Sequence, residues 1–285
     1  MIVDSHSHAW PRWPYQPEVP DDGRGAVEQL LWEMDGNGVE RAVLVCARID
    51  RNGDNNEYAA ACVAKHPGRL HQFADVDCRW SPEYHTPGAA DRLRALADRI
   101  PVEGITHYVG PENDGWFRSS EGTAFFAVAA ERDLIVSLAA SPAWAEDIRA
   151  VAHAFPTLPI ICHHLAGIGG WRGGREDGVR RVVASASAPN VLVKISGFYY
   201  GSETPWEYPH GDALWIVRAL YEAFGADRLA WGSDYPVLRR AMTYRQAIEA
   251  FRTHCSFVPP GDREAILGGT LDAVLRTRRP AGCRG

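Results

Sequence analysis

The chain has 285 residues, 46% of them hydrophobic and 23% charged, a balance that excludes a disordered polypeptide and suffices for a large apolar core. Thirty basic against 36 acidic side chains leave a net charge of −6, with the signs interspersed, so no nucleic-acid partner is expected. No apolar run approaches the ~18 residues of a membrane helix, and the opening Met-Ile-Val-Asp-Ser-His has neither a basic nor an apolar leader.

A cytoplasmic protein without membrane contact is therefore expected. Cys46, Cys62, Cys78, Cys162, Cys255 and Cys283 form no C-x-x-C pair and read as small buried residues of a reducing compartment.

Taken in chain order, short β-branched runs alternate with amphipathic stretches. Strands are predicted over residues 2–8, 41–47, 70–76, 102–109, 134–139, 158–163, 190–196 and 229–233. Their runs are near-continuously apolar, as in parallel strands covered on both faces. Helices are predicted over 26–35, 55–65, 89–99, 121–132, 143–154, 177–187, 212–224 and 244–254, and a ninth over 262–276 closes the chain. Pro156, Pro159 and Pro189 precede strands, while Gly36, Gly38 and Gly225 follow helices. Eight strands in strict alternation predict an α/β fold, a single distorted (β/α)₈ TIM barrel spanning 1–277, with a frayed tail over 278–285. The aromatic, Pro-rich stretches 10–25 and 197–209 follow strands and are expected over the C-terminal mouth.

The first strand ends Asp4-Ser5-His6-Ser7-His8. Side chains two apart on a strand project together, so His6 and His8 can clasp one ion, although two histidines at a strand end need share no ligand. The sixth strand ends Cys162-His163-His164-Leu165. Neighbours on a strand face opposite sides, so one of the two histidines is expected inward and the other in a loop or helix cap. The last strand ends Trp231-Gly232-Ser233-Asp234-Tyr235-Pro236. Asp234 there could cap the next helix. A barrel, however, brings its last strand beside its first, and three imidazoles with a carboxylate at one rim make a mononuclear site for Zn²⁺ or a similar divalent ion.

With these motifs in place, the sequence resembles the amidohydrolase superfamily, in its amidohydrolase-2 branch. Sugar lactonases, pyrone-dicarboxylate lactonase and decarboxylases such as aminocarboxymuconate semialdehyde decarboxylase belong to that branch. The resemblance runs from the D-x-H-x-H opening through Phe155-Pro156-Thr157-Leu158-Pro159 and His163-His164-Leu165. It continues through Val191-Leu192-Val193-Lys194-Ile195-Ser196-Gly197, Phe224-Gly225-Ala226-Asp227-Arg228-Leu229 and Gly232-Ser233-Asp234-Tyr235-Pro236. Ile266-Leu267-Gly268-Gly269-Thr270 stands where many relatives carry an Asn before a helix. The resemblance implies His6, His8, His164 and Asp234 as ligands of one divalent ion, zinc first and manganese second. It implies Asp234 and His164 as the catalytic pair, with Asp234 the proton acceptor. His164 is preferred to His163 because the family pattern is a His followed by Leu or Gly.

Lys194 is rare in kind, a lysine inside an apolar strand. It follows the His-His pair rather than preceding it, which disfavours a carbamylated bridge between two metals. It either binds a substrate carboxylate or carbonyl, or pairs with an acidic neighbour. Arg48 after the second strand and His107 at the end of the fourth are expected to line the mouth, or to anchor loops. His210 opens a helix after the aromatic loop, near where the decarboxylases hold an acid/base histidine, and could equally be solvated at the helix start. Tyr199 is expected in the pocket wall, among Trp10, Trp13, Tyr15, Trp80, Trp116, Tyr200 and Trp206.

The expected activity is metal-assisted hydrolysis of a small molecule, with a lactone or related cyclic ester or amide as first choice. Non-oxidative decarboxylation of an aromatic or muconate-type acid comes second, and a degenerate barrel serving as a binding protein third. A homodimer is compatible with all three. No G-x-S-x-G elbow supports a serine hydrolase.

Overall fold

A computed structural model describes residues 1–15 and 22–277. The expected tail over 278–285, with Cys283, and part of the first aromatic loop lie outside the described residues. The strands are β1 (Val3–Ser7), β2 (Arg41–Val45), β3 (Leu70–Asp75), β4 (Gly104–Tyr108), β5 (Ile135–Ala139), β6 (Ile160–Cys162), β7 (Val191–Ile195) and β8 (Leu229–Trp231). They pair in parallel in sequence order, which is a (β/α)₈ barrel. Between β8 and β1 the contact consists of one bridge, Ser7 to Tyr235, and the backbone bonds Asp234 N to His6 O (2.8 Å) and His8 N to Tyr235 O (2.6 Å).

The outer layer holds α1 (Val27–Asn37), α2 (Asn55–Lys65), α3 (Ala89–Arg99), α4 (Ser120–Glu131), α5 (Ala145–Ala154), α6 (Arg175–Val183), α7 (Leu214–Phe224) and α8 (Tyr244–Arg252). Each turns a stripe of apolar residues at threes and fours onto the sheet, as α8 does with Tyr244, Ala247, Ile248 and Phe251. A capping box of Thr243 and Gln246 starts α8, and Gly38 in the left-handed conformation ends α1. The expected ninth helix is divided into α9 (Pro260–Glu264), a π-helical turn (Ala265–Gly269) and α10 (Thr270–Arg276). The π turn brings Gly268 against the chain start, where a Cβ would lie 2.8 Å from Met1 O. No helix among the described residues is long and apolar enough to cross a membrane. The five described cysteines are free and buried.

The barrel floor is apolar. Val3, Val43, Val45, Phe73, Ile135, Ile161, Leu192 and Ala230 meet inside it and are plugged by Leu271 and Leu275 of α10. Register explains how β1 serves both this floor and the mouth. Asp4 pairs with Ala42 and Ser7 with Leu44, so three steps on β1 match two on β2. That β-bulge inverts the alternation. Val3 points into the floor below the bulge, and His6 points inward above it.

Gly232 stands where β8 crosses β1, and a Cβ there would lie 2.8 Å from Ser5 Oγ and 2.9 Å from His6 Cβ. Gly232→Ala is expected to cost about 1–3 kcal/mol by forcing the two strands apart. Urea unfolding of the two proteins side by side checks this, and equal midpoints would contradict it.

Candidate active site

Four side chains that are distant in sequence meet above the floor. His6 and His8 bring their Nε2 atoms to 3.1 Å. Asp234 Oδ1 lies 3.7 Å from His6 Nε2, 3.5 Å from His8 Nε2 and 3.7 Å from His164 Nε2. Most of these separations are too long for hydrogen bonds. They match the ~3.3–3.4 Å between donors in a tetrahedral shell built on bonds of 2.0–2.1 Å. His6, His8 and Asp234 form one such cluster, and His6, His163 and His164 another.

Each ring is held from behind. His8 Nδ1 is 2.5 Å from Val45 O, so it carries the proton there and leaves Nε2 as a lone pair. His164 Nδ1 pairs with Ser196 Oγ at 3.0 Å, and His6 Nδ1 with Lys194 Nζ at 3.0 Å. Burial drives the pKa values of His6 and His164 down, the latter to about 4, and Lys194 adds to the effect on both. Both rings are thus neutral at pH 7, as metal ligands must be. Burial alone would raise the pKa of Asp234, but His164, His8 and the Tyr199 hydroxyl outweigh it and hold the carboxyl below its ordinary value. Tyr199 and Tyr200 donate to Asp234 Oδ2 at 2.6 and 2.9 Å, which leaves Oδ1 for the imidazoles. Asp234 itself occupies the left-handed region (φ 64°), one step beyond the bonds that tie Ser233 to Asp4. Asp4, buried at the start of β1, accepts from His6 N, Ser233 N and Oγ, and Tyr244 Oη. That network joins the two strands that carry the site.

Sequence reasoning expected one inward histidine from the sixth strand, and the structure brings in both. The His163 and His164 rings lie 4.5 and 4.3 Å from that of His6. Alternation accounts for His163, which stays extended two residues beyond the inward Ile161, whereas His164, Leu165 and Ala166 turn through φ values of 41, 51 and 52° and bring the second ring in as well. The two rings differ in what remains available. His163 Nε2 is engaged by Ser137 Oγ at 2.6 Å, and that hydroxyl also accepts from Lys194 Nζ at 2.8 Å, which leaves Nδ1 as the nitrogen of His163 with no partner among the described residues. His164 Nε2 has no such partner.

The expected substrate contacts are placed less uniformly. Lys194 is fully buried below the histidines, bonded to Ser137 and His6, and stands under the site rather than on a cavity wall. Burial lowers its pKa to about 7 against the pull of Asp4 and Asp234. Arg48 is exposed and its Nε donates to Gly53 O, so its side chain follows the surface loop. Tyr199 belongs to the site through Asp234. His210 is buried beside it, ring centroids 6.4 Å apart. His107 faces away from the barrel interior, because alternation along β4 turns Thr106 and Tyr108 inward instead. Its Nδ1 donates to Val76 O, and its Nε2 lies 3.2 Å from His85 Nε2 within a cluster containing Trp116, Phe117 and Phe125. Trp116 is therefore packing, and Trp206 is exposed, whereas Trp10, Trp13 and Tyr15 pack together over the mouth.

Burial pushes the pKa of His107 down to about 4. The unfolded chain then binds a proton near pH 6.5 that the folded chain refuses until about pH 4, so stability falls as pH drops through that window. His107→Gln is expected to remove on the order of 3 kcal/mol of that fall. Urea unfolding at pH 7 and at pH 4.5 checks it, and parallel pH slopes for the two proteins would contradict it.

Beside the histidines opens a cavity of about 240 Å³, with Arg79, Tyr108, Gly110, Ser141, His163 and His164 among its lining residues. Arg79, Tyr108, Ser137 and Ser196 were not singled out from the sequence. Ser137 did leave a signal there, as a polar residue inside the apolar run Ile-Val-Ser-Leu-Ala.

Comparison with known proteins agrees with this architecture. The amidohydrolase family model matches residues 3–276. The chain belongs to the amidohydrolase family. It is 27% identical to an L-fucono-1,5-lactonase from Burkholderia ambifaria, over 98% of this chain and 97% of that one. Among solved structures, an amidohydrolase from Burkholderia multivorans with bound zinc superposes with a TM-score of 0.78 at 18% identity, covering 97% of this chain and 99% of the other. A probable 2-pyrone-4,6-dicarboxylic acid hydrolase from Acinetobacter baumannii, with citric acid bound, gives 0.75 at 20% identity over 96% and 99%. At these identities the two structures speak for the fold of this amidohydrolase-family chain alone.

Proposed function

We propose that this amidohydrolase opens a lactone or related cyclic ester, with one divalent ion held by His6, His8, His164 and Asp234. Zinc is the first choice of ion and manganese the second, and a reducing cytoplasm is the expected setting. The observation that carries the reading is the spacing of four ligand-type atoms, each ring oriented from behind by a carbonyl, a serine or a lysine. The 3.7 Å from His164 Nε2 to Asp234 Oδ1 favours His164 as the third imidazole. A named lactonase matched over nearly the full length supports the choice of substrate class.

Bound there, the ion would polarise the ester carbonyl and make a water easier to deprotonate. Asp234 is ionised, because its neighbours lower its pKa, and it accepts the proton of the attacking water. It then delivers that proton to the ring oxygen as the C–O bond breaks. Tyr199 and Tyr200 hold its other oxygen and fix the angle of the carboxylate. Lys194 and Ser137 keep the His6 and His163 rings in place from below.

Elemental analysis of freshly purified protein should find about one equivalent of metal. A pH-stat panel that includes L-fucono-1,5-lactone should record acid release. Release of CO₂ from aromatic or muconate-type acids, with no acid from any lactone, would favour the decarboxylase instead. Ligand binding that survives chelation, without turnover, would favour a binding protein.

A further inference from the structure

Building on the lactonase reading, we propose that the substrate carries a carboxylate, received by Arg79 and Tyr108 on the wall of the cavity beside His163 and His164. Arg79 follows β3, and its backbone N–H donates to Tyr108 O at 2.9 Å, which seats the loop on the end of β4. Its side chain is exposed and makes no ion pair or hydrogen bond among the described residues. That is a notable isolation in a chain with 36 acidic and 30 basic side chains. Among the described residues, Arg79, Tyr108 and the two histidines are the ionisable groups that line this cavity.

Tyr108 faces the same space. Its hydroxyl has no hydrogen-bond partner among the described residues, and burial together with Tyr15 and Asp234 keeps the phenol protonated, hence a donor. The Ser141 hydroxyl nearby is already committed to Pro111 O at 2.7 Å. A second guanidinium, Arg240, stands 4.7 Å over the Tyr15 ring, with no ion pair among the described residues. Arg79 and Arg240 both act on Tyr15, as do Asp234 and Asp50, and Asp50 pairs with neither arginine. Among the described residues the rim thus offers two guanidiniums outside any ion pair and a free phenol, with Asp50 also near Tyr15 and Asp234 deeper. A guanidinium and a phenol supply the N–H and O–H donors that the two oxygens of a carboxylate accept.

The test compares the monolactone of an aldaric acid with the corresponding aldonolactone, which lacks the carboxylate. The carboxylated lactone should have a kcat/KM higher by about tenfold or more. Arg79→Gln should erase that preference through KM and leave the neutral lactone within about twofold. Equal losses on both lactones, or preference for the neutral one in the wild type, would overturn the proposal. A second measurement needs no turnover. Calorimetry with tetrahydrofuran-2-carboxylate and with tetrahydrofurfuryl alcohol should show discrimination for the carboxylate that Arg79→Gln and Tyr108→Phe both weaken. Discrimination without hydrolysis of any lactone would uphold the carboxylate site and overturn the lactonase reading. Hydrolysis without discrimination would do the reverse.

Discussion

Asp234→Asn is expected to lower kcat for lactone opening by about 10³-fold while the protein keeps most of its metal. The amide retains one oxygen that can face His6, His8 and His164, so the ligand set loses charge but not an atom. It cannot take a proton from water at neutral pH, and it cannot return one to the ring oxygen. The Tyr199 and Tyr200 hydroxyls, which now donate to Oδ2, are rotors and can accept from the new NH₂, so the loop they anchor should survive. A pH-stat assay with metal analysis on the same sample separates the outcomes. Activity within tenfold of wild type would remove Asp234 from the base role, and loss of metal in step with activity would make it a ligand only.

Replacing both His6 and His8 by Ala is expected to bring metal content to about a tenth of an equivalent or less, and turnover to background. Two of the four proposed ligands go, and the two left, His164 and Asp234, follow β6 and β8. Both rings are buried, so their removal leaves space in the core, and some loss of stability accompanies the loss of metal. A companion experiment on unaltered protein isolates the ion. Prolonged chelation should abolish activity and added zinc should restore it. Unchanged metal content in the double variant would place the ion elsewhere.

Much of this molecule is legible in its sequence, and the legible part follows a physical rule. β-Branched runs and amphipathic stretches report burial on two faces or one, which is what distinguishes barrel strands from covering helices. Thus α2 and α3 begin and end where their periodicity does. Polar residues at strand ends mark the mouth, so His6, His8, the His163–His164 pair and Asp234 stand out before any coordinates do, and the family resemblance alone prefers His164. Facing direction is another matter. The bulge between Asp4 and Ser7 inverts β1, and a left-handed turn that starts at His164 redirects that ring. Neither leaves a periodic trace. His107 and Lys194 mislead for a related reason. A polar residue in an apolar strand must satisfy its hydrogen bonds, but the strand does not say whether it does so in the mouth, under it, or against the helices. Arg79 gives no signal at all, because an exposed arginine in a loop is ordinary until the cavity beside it is seen.

The junction of first and last strands has a consequence for how the protein is made. Asp4 and Ser233 are separated by almost the whole polypeptide, and so are His6 and Asp234. Contacts of such long sequence separation are slow to form. On the proposed ligand set, the histidines of β1 wait during synthesis for the final quarter of the chain before all four ligands exist. Nascent or truncated protein would then have no tight grip on the ion. An ion bound across the joined ends would act as a fastener for the closed ring, and metal supply would bear on how long the finished molecule resists unfolding.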